Sequence, residues 1–179
     1  MEDDTILENL EFSVEDSFVE REGFSRLIVD SDFFIKVIPR QLINFILNDN
    51  NETIYLIINS DGGALNNLVC LMSLLKKYKH IIVINLGEAY SAAGMLFFLA
   101  DEKYISPEGL VLLHQYRTKI SGDMVDIESY NKSMKRLFKL LFKKIGKKVS
   151  IQETYFFGED LIKNGEAKLI TADVLRKII

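Results

Sequence analysis

Apolar residues in this chain come in short unbroken runs separated by longer amphipathic stretches. Ile54-Tyr55-Leu56-Ile57-Ile58 and Ile81-Ile82-Val83-Ile84 are continuous apolar runs, the pattern of strands buried on both faces. Residues 26–29 and 111–113 read as further strands. Residues 40–47 form a helical stretch just after Pro39, whose fixed φ suits a helix start. Residues 64–78 carry Leu65, Leu68, Val69, Met72 and Leu75 at helical spacing, and residues 91–100 are a second apolar helix. The turns between them fall at 59–63 and 86–90. Strand and helix alternating with short connections predicts an α/β domain with a mainly parallel sheet.

The clearest element is a helix over 126–145. Ile127, Tyr130, Met134, Leu137, Phe138, Leu141 and Ile145 recur at three- and four-residue steps, with Lys132, Lys135, Arg136, Lys139 and Lys143 mostly on other faces. Leu140 and Phe142 widen the apolar face, a hint of a subunit contact, and Gly146 supplies a C-cap. Residues 117–148 hold ten Lys or Arg against three acids. Because the lysines interleave with an apolar stripe, the reading is a solvated helix face rather than a nucleic-acid footprint. Residues 1–22 hold nine acids and one base, Arg21. The division expected is an acidic N-terminal arm over 1–23, mobile or partner-dependent, and a single domain over 24–179.

Composition narrows the class. At 179 residues, 48% hydrophobic and 27% charged, the chain has the makings of one well-buried globular domain. Its single cysteine, Cys70, rules out an internal disulfide and suits a reducing compartment. Its apolar neighbours mark it as a small core residue. The acidic start is unlike a signal peptide, and no apolar run reaches the ~20 residues of a membrane span. A soluble cytoplasmic protein is expected, with no membrane or nucleic-acid partner. Two histidines and one cysteine build no recognisable zinc site, and neither a P-loop nor a dinucleotide fingerprint is present. No metal or cofactor is expected.

Chemistry therefore rests on few residues. His114 ends a buried strand and is the one plausible imidazole base, whereas His80 opens a strand at the surface. Ser91 begins a helix, near unpaired backbone N–H groups and the positive end of the helix dipole. It is a candidate nucleophile, although serine is also a favoured N-cap. Gly62-Gly63 follow a buried strand, where glycine allows either a plain turn or a close approach of backbone N–H to a ligand. The glycine pair, Ser91 and His114 each lie just past a strand's carboxyl end, where open parallel sheets bind ligands.

Three segments resemble one family in order and spacing. Ile57-Ile58-Asn59-Ser60-Asp61-Gly62-Gly63 is similar to its "INSPGG", Gly87-Glu88-Ala89-Tyr90-Ser91 to its "GQAASMG", and Val111-Leu112-Leu113-His114-Gln115 to its "VMIHQ". The resemblance, over roughly residues 27–170, is to the Clp protease proteolytic subunit and its phage-encoded relatives in the ClpP/crotonase superfamily. It implies repeated strand–helix units and a projecting helical handle. It also implies Ser91 as nucleophile, His114 as general base, and Gly63 and Ala92 as oxyanion-binding amides. In phage-type relatives the third triad member is an aspartate twelve positions before a glycine. Counting back from Gly165 gives Glu153, a glutamate in its place, with Asp160 or a backbone carbonyl as substitutes. Glu153-Thr154-Tyr155-Phe156 also resembles the "DTWF" of phage relatives.

The activity implied is serine endopeptidase hydrolysis of peptides or unfolded proteins through an acyl-enzyme. The assembly implied is a homo-oligomeric ring, with an ATP-dependent unfoldase as a possible partner. The stretch after Gly146 is shorter than the family pattern, and the acidic arm does not match its axial segment. Both bear on ring stacking and unfoldase docking rather than on the site. The alternatives are a catalytically weak or inactive ring subunit or scaffold, a crotonase-type acyl-CoA enzyme that needs no serine–histidine pair, and a serine–lysine peptidase.

Overall fold

The two longest apolar runs become the centre of the sheet. In the computed structural model, which describes residues 17–30, 33, 38–115, 124–147 and 153–178, strands β3 (Thr53–Ser60) and β4 (His80–Tyr90) pair in parallel with Ile54 opposite Ile81. Strand β2 (Phe24–Asp30) adds in parallel to β3, and β1 (Phe18–Arg21) closes that edge as an antiparallel hairpin. Beyond β4 lie β5 (Glu102–Ile105) and the two-residue β8 (Lys168–Leu169), both parallel. The result is the expected α/β domain with a mainly parallel sheet, eight strands in all among the described residues.

Residues 86–90, read from sequence as a turn, are the second half of β4. That strand changes partner along its length. Ile82 to Asn85 pair with β5, whereas Glu88 to Tyr90 pair with β6 (Leu110–Leu113), which pairs antiparallel with β7 (Thr154–Phe157). At the changeover the β3–β4 register shifts between Ile58 and Ser60. Two asparagine side chains repair the interrupted ladder. Asn59 Oδ1 accepts from Glu88 N at 3.2 Å, and Asn85 Nδ2 donates to Leu110 O at 3.1 Å. The Gly87-Glu88 pair looks like a turn because it lies where the strand leaves one ladder for another.

Helices cover both faces. Helix α1 (Arg40–Asn48) starts after Pro39 as expected and buries Leu42 and Ile46; α2 (Leu65–Leu75) buries Leu68, Leu71 and Leu75. Helix α3 (Ala92–Leu99) is buried along nearly its whole length, as its all-apolar sequence requires. Helix α4 (Met124–Ile145) buries Met134, Leu141 and Ile145 and exposes its lysines. Leu140 is exposed, but Phe142 is half-buried and packs edge-on against Phe138 at 4.7 Å, so the apolar face is narrower than the sequence suggested. Cys70 is half-buried against the core. Helices α5 (Gly158–Lys163) and α6 (Ala172–Ile178) end the chain. Ile178 of α6 joins Tyr55, Ile57, Ile82 and Ile84 in a second, smaller core.

The expected boundary at residue 23 falls inside the β1–β2 hairpin, where Phe18 is buried. Residues 1–16 of the acidic arm lie outside the described residues, as do 116–123 and 148–152. No helix among the described residues is long and apolar enough to cross a membrane, and none of their side chains cluster as a metal site.

One polar network ties together the amino ends of the strands. Asp49, which follows α1, is buried and accepts from Tyr78 Oη at 2.6 Å and from Asn51 N at 2.9 Å. Asn51 donates to Ser25 Oγ at 2.9 Å, and Lys77 Nζ donates to Ile46 O at 2.7 Å. Burial alone pushes the Asp49 carboxyl up, but the donors Ser25, Tyr78 and Asn51 N–H, with the Lys77 charge, hold it below its ordinary value. The same burial, and the proton given to Asp49, hold the Tyr78 phenol far above its usual range. Replacing Asp49 leaves the Tyr78 hydroxyl buried with no comparable acceptor, which costs about 1–3 kcal/mol. Asp49→Ala is expected to lower the urea midpoint accordingly at pH 7. Because the folded carboxyl is depressed, this stabilisation is present above the unfolded value near 4 and fades as pH falls below it. Urea titrations at pH 7 and pH 3 check both points: the gap between wild type and variant narrows at the lower pH.

Candidate active site

The site lies at the opposite end, past the carboxyl ends of β3, β4 and β6. There β4 stops and α3 begins with a single residue between them, Ser91. Its backbone sits at φ 54°, ψ −115°, the one positive φ at a non-glycine among the described residues. Such a conformation costs about 1–3 kcal/mol and persists only where surroundings impose it. Two contacts impose it here: Ser91 N donates to Leu112 O on β6 at 2.8 Å, and Met95 N donates to Ser91 O at 3.0 Å. Ser91 occupies the N-cap position, but its side chain makes no capping hydrogen bond. Capping therefore does not explain the serine.

Glycine is required beside it. A Cβ on Gly62 (φ 85°) would lie 2.3 Å from Tyr90 O and 2.9 Å from both Ala92 N and Ser91 Cβ. The loop after β3 and the turn after β4 are thus in backbone-to-backbone contact. On the far side, a Cβ on Gly94 would meet Leu112 O at 2.6 Å and Ala89 O at 2.8 Å, so α3 packs directly on β4 and β6. Ala92 opens α3, and its N–H has no intrahelical acceptor.

Ser91, Ala92, Gly63 and His114 line one cleft of about 230 Å³. Four of the five expected site residues therefore converge. Ala64, Leu65 and Asn66 line it on one side, and Tyr130, Met134 and Phe138, one stripe of α4 at four-residue steps, line it with Met95. The sequence showed that stripe as core. Nothing in its spacing distinguishes a residue packed on the core from one lining a cleft beside it.

His114 follows β6 and is half-buried. Its Nδ1 lies 2.6 Å from Gln115 O. A carbonyl only accepts, so this bond places the proton on Nδ1 and leaves the Nε2 lone pair available in the neutral ring. Glu153 is exposed, and its carboxylate accepts from Tyr155 Oη at 2.7 Å. The β6–β7 ladder pairs Leu112 with Tyr155 and Leu113 with Thr154. That ladder ends there, with His114 the next residue after β6 and Glu153 the residue before β7. In this structure the His114 bond goes to Gln115 and not to Glu153. Strand β7 is held to α3 by Phe156 edge-on to Phe98 at 5.0 Å, with Lys147 over both rings at 5.1 and 5.2 Å. Beside Ser91, burial and a hydrogen bond to Glu88 push the Tyr90 phenol up to about 12, so it stays neutral near pH 7.

A family model described as Clp protease matches residues 22–159. The ATP-dependent Clp protease proteolytic subunit 2 of Borreliella burgdorferi is 28% identical over 109 residues, which is 57% of this chain and 55% of that protein. The match thus spans about half the length of that curated relative.

The strain at Ser91 has a measurable consequence. Glycine takes its φ/ψ at no steric cost, whereas alanine does not. Ser91→Gly is expected to be about 1 kcal/mol more stable than Ser91→Ala, read from urea unfolding of the two purified variants. Equal stability would mean that the turn carries no strain.

Proposed function

This chain belongs to the Clp protease family, and we propose that it is a serine endopeptidase acting through an acyl-enzyme on Ser91. The observation that carries the reading is Ser91 itself. It is held in a strained conformation, caps nothing, and shares one cleft with His114 and with the Gly63 and Ala92 amides. A nucleophile, a base and two candidate oxyanion donors in one cleft is the arrangement that acyl transfer needs.

In the mechanism proposed, Ser91 Oγ attacks a peptide carbonyl while His114 Nε2 takes its proton. The Gly63 and Ala92 N–H groups receive the tetrahedral oxyanion, where one such donor is worth about 3–4 kcal/mol. His114 then protonates the leaving amine, and water hydrolyses the ester by the reverse sequence. Glu153, which precedes β7 as His114 follows its partner β6, is assigned the orienting role, for which a carboxylate accepting from Nδ1–H is required. The apolar α4 stripe suits an apolar side chain next to the scissile bond. No step calls for a cofactor.

The substrates we propose are peptides or unfolded proteins, cleaved by a homo-oligomeric ring in the cytoplasm with an ATP-dependent unfoldase as partner. The one cysteine is consistent with that compartment. A second reading, an inactive ring subunit or scaffold, is favoured by one observation: His114 is bonded to its neighbour's carbonyl rather than to Glu153.

Fluorophosphonate labelling with peptide mapping separates the two readings, run beside native mass measurement of the assembly. The peptidase reading expects a single adduct on Ser91. It also expects no adduct in Ser91→Ala, and a loss of at least about 10³-fold in labelling rate for His114→Ala. An assembled sample that leaves Ser91 unlabelled rules out the peptidase and supports the scaffold.

A further inference from the structure

We propose that the acidic amino-terminal arm of one copy of this chain docks on the cationic face of helix α4 of the next; the inference concerns assembly and stands whether or not Ser91 is a nucleophile. Helix α4 has two faces of different character. Tyr130, Met134 and Phe138 line the cleft, and Leu141 and Ile145 are buried. On the other side Lys132, Lys135, Arg136, Lys139 and Lys143 are all exposed. None of them forms an ion pair with another described residue. They recur at three- and four-residue steps, which sets like charges beside one another on the helix surface. Taken alone such a face repels itself, and an acidic partner removes that repulsion. Leu140, 55% exposed, lies beside the cations.

The arm carries the complementary pattern. Residues 1–16 hold seven acids and no Lys or Arg, whereas the remainder of the chain is net positive. Asp4, Glu8, Glu11 and Glu15 follow one another at steps of four, three and four, the spacing of one helix face. Lys132, Arg136, Lys139 and Lys143 follow at the same steps. Laid side by side as two helices running in the same direction, the segments set Asp4 against Lys132 and Glu8 against Arg136. Glu11 then meets Lys139, and Glu15 meets Lys143. Leu140 falls between the levels of Leu10 and Val14, which gives the row of ion pairs an apolar flank.

The contact is between copies because the arm cannot reach its own α4 in this register. Ser17 precedes β1, which lies at the edge of the sheet, three strand steps from β4. Helix α3 packs on β4 and β6, and α4 packs on α3. The cationic face is therefore on the order of 25 Å from Ser17, three strand spacings across and two helix layers up. Glu15 stands two residues from Ser17, a span of at most ~7 Å. The arm of a second copy has no such limit. Arm and helix are different surfaces, so the contact is heterologous and repeats from copy to copy, as a ring requires. The cleft on the opposite face of α4 stays open.

The test is self-association of the full chain, read by sedimentation velocity over a concentration series at about 50 and about 500 mM salt. Wild type is expected to associate, and more weakly at the higher salt, where exposed ion pairs are screened. Glu8→Lys with Glu11→Lys in the arm is expected to weaken association at least about 10-fold, and Arg136→Glu with Lys139→Glu on α4 to do the same. All four changes in one chain restore it. An equimolar mixture of the arm variant and the helix variant also restores it, since each offers the other an opposite charge. Recovery in the combined chain but not in the mixture places the contact within one chain and overturns the proposal. So does a monomeric wild type, association that salt or the reversals leave untouched, or a loss that the combined chain does not recover. Arg136 and Lys139 are exposed, and urea midpoints of all the variants confirm that folded chains are compared.

Discussion

Two stretches of backbone meet where side chains would normally keep them apart. Gly62 lies against Tyr90, Ser91 and Ala92, closer than any Cβ permits, and Gly94 presses the other side of the same turn onto β4 and β6. Between those contacts the chain passes from strand to helix in one residue. The turn is therefore enforced by packing rather than chosen by local preference, which is why a serine tolerates a conformation suited to glycine. Relaxing either contact would let Ser91 return to an ordinary φ and withdraw its side chain from the cleft. The rest of the site inherits its placement from this point, since the Ser91 N–H bond to Leu112 sets β6, and with it His114, against the same turn.

The fold divides its labour along the strands. At their amino ends, Asp49, Tyr78, Asn51, Ser25 and Lys77 form a satisfied polar network that joins α1, β2 and the loop after α2. Buried donors and acceptors there are matched, so that end is costly to open. At the carboxyl ends, β4 abandons one neighbour for another, and the backbone groups left over are met by Asn59 and Asn85. The cleft lies past this end of the sheet, lined by the start of α2, the Ser91 turn, His114 and α4. Stability concentrated at one end makes affordable the strain held at the other.

How much of this could be read in the sequence follows from the range of each interaction. Apolar runs at 54–58 and 81–84 and the stripe at 126–145 reflect burial, a one-residue property with a period, and these elements stand as read. Residues 86–90 were misread because glycine and glutamate there are a local signal for a turn, whereas their ladder partners come from a strand some twenty residues on. Strands β1, β5, β7 and β8 are only two to four residues long, too short for alternation to register. At the site, Ser91, His114, Gly63 and Ala92 were visible from motif and position, and they line one cleft. A backbone carbonyl was among the substitutes for Glu153, but that it is Gln115's was not legible, because a carbonyl leaves no trace in residue identity.

Glu153 is where sequence and structure bear on each other most closely. Counting from Gly165 places an acid at 153 by family resemblance alone, and the β6–β7 ladder ends at Leu113 and Thr154, the residues just before His114 and just after Glu153. Register in an antiparallel pair is unforgiving, because a slip of one residue turns every side chain to the other face. Here it is anchored on both sides of the sheet. Phe156 packs on Phe98 toward the core, while Phe157 and Tyr155 on the other face are largely solvent-exposed. A slip would bury the wrong set. The placement of Glu153 at the start of β7 is thus stabilised by hydrophobic burial several residues away, and what remains adjustable is the rotamer of one long side chain. An aspartate in that position would need no such adjustment. A glutamate does, and here its carboxylate accepts from the phenol two residues along the same strand.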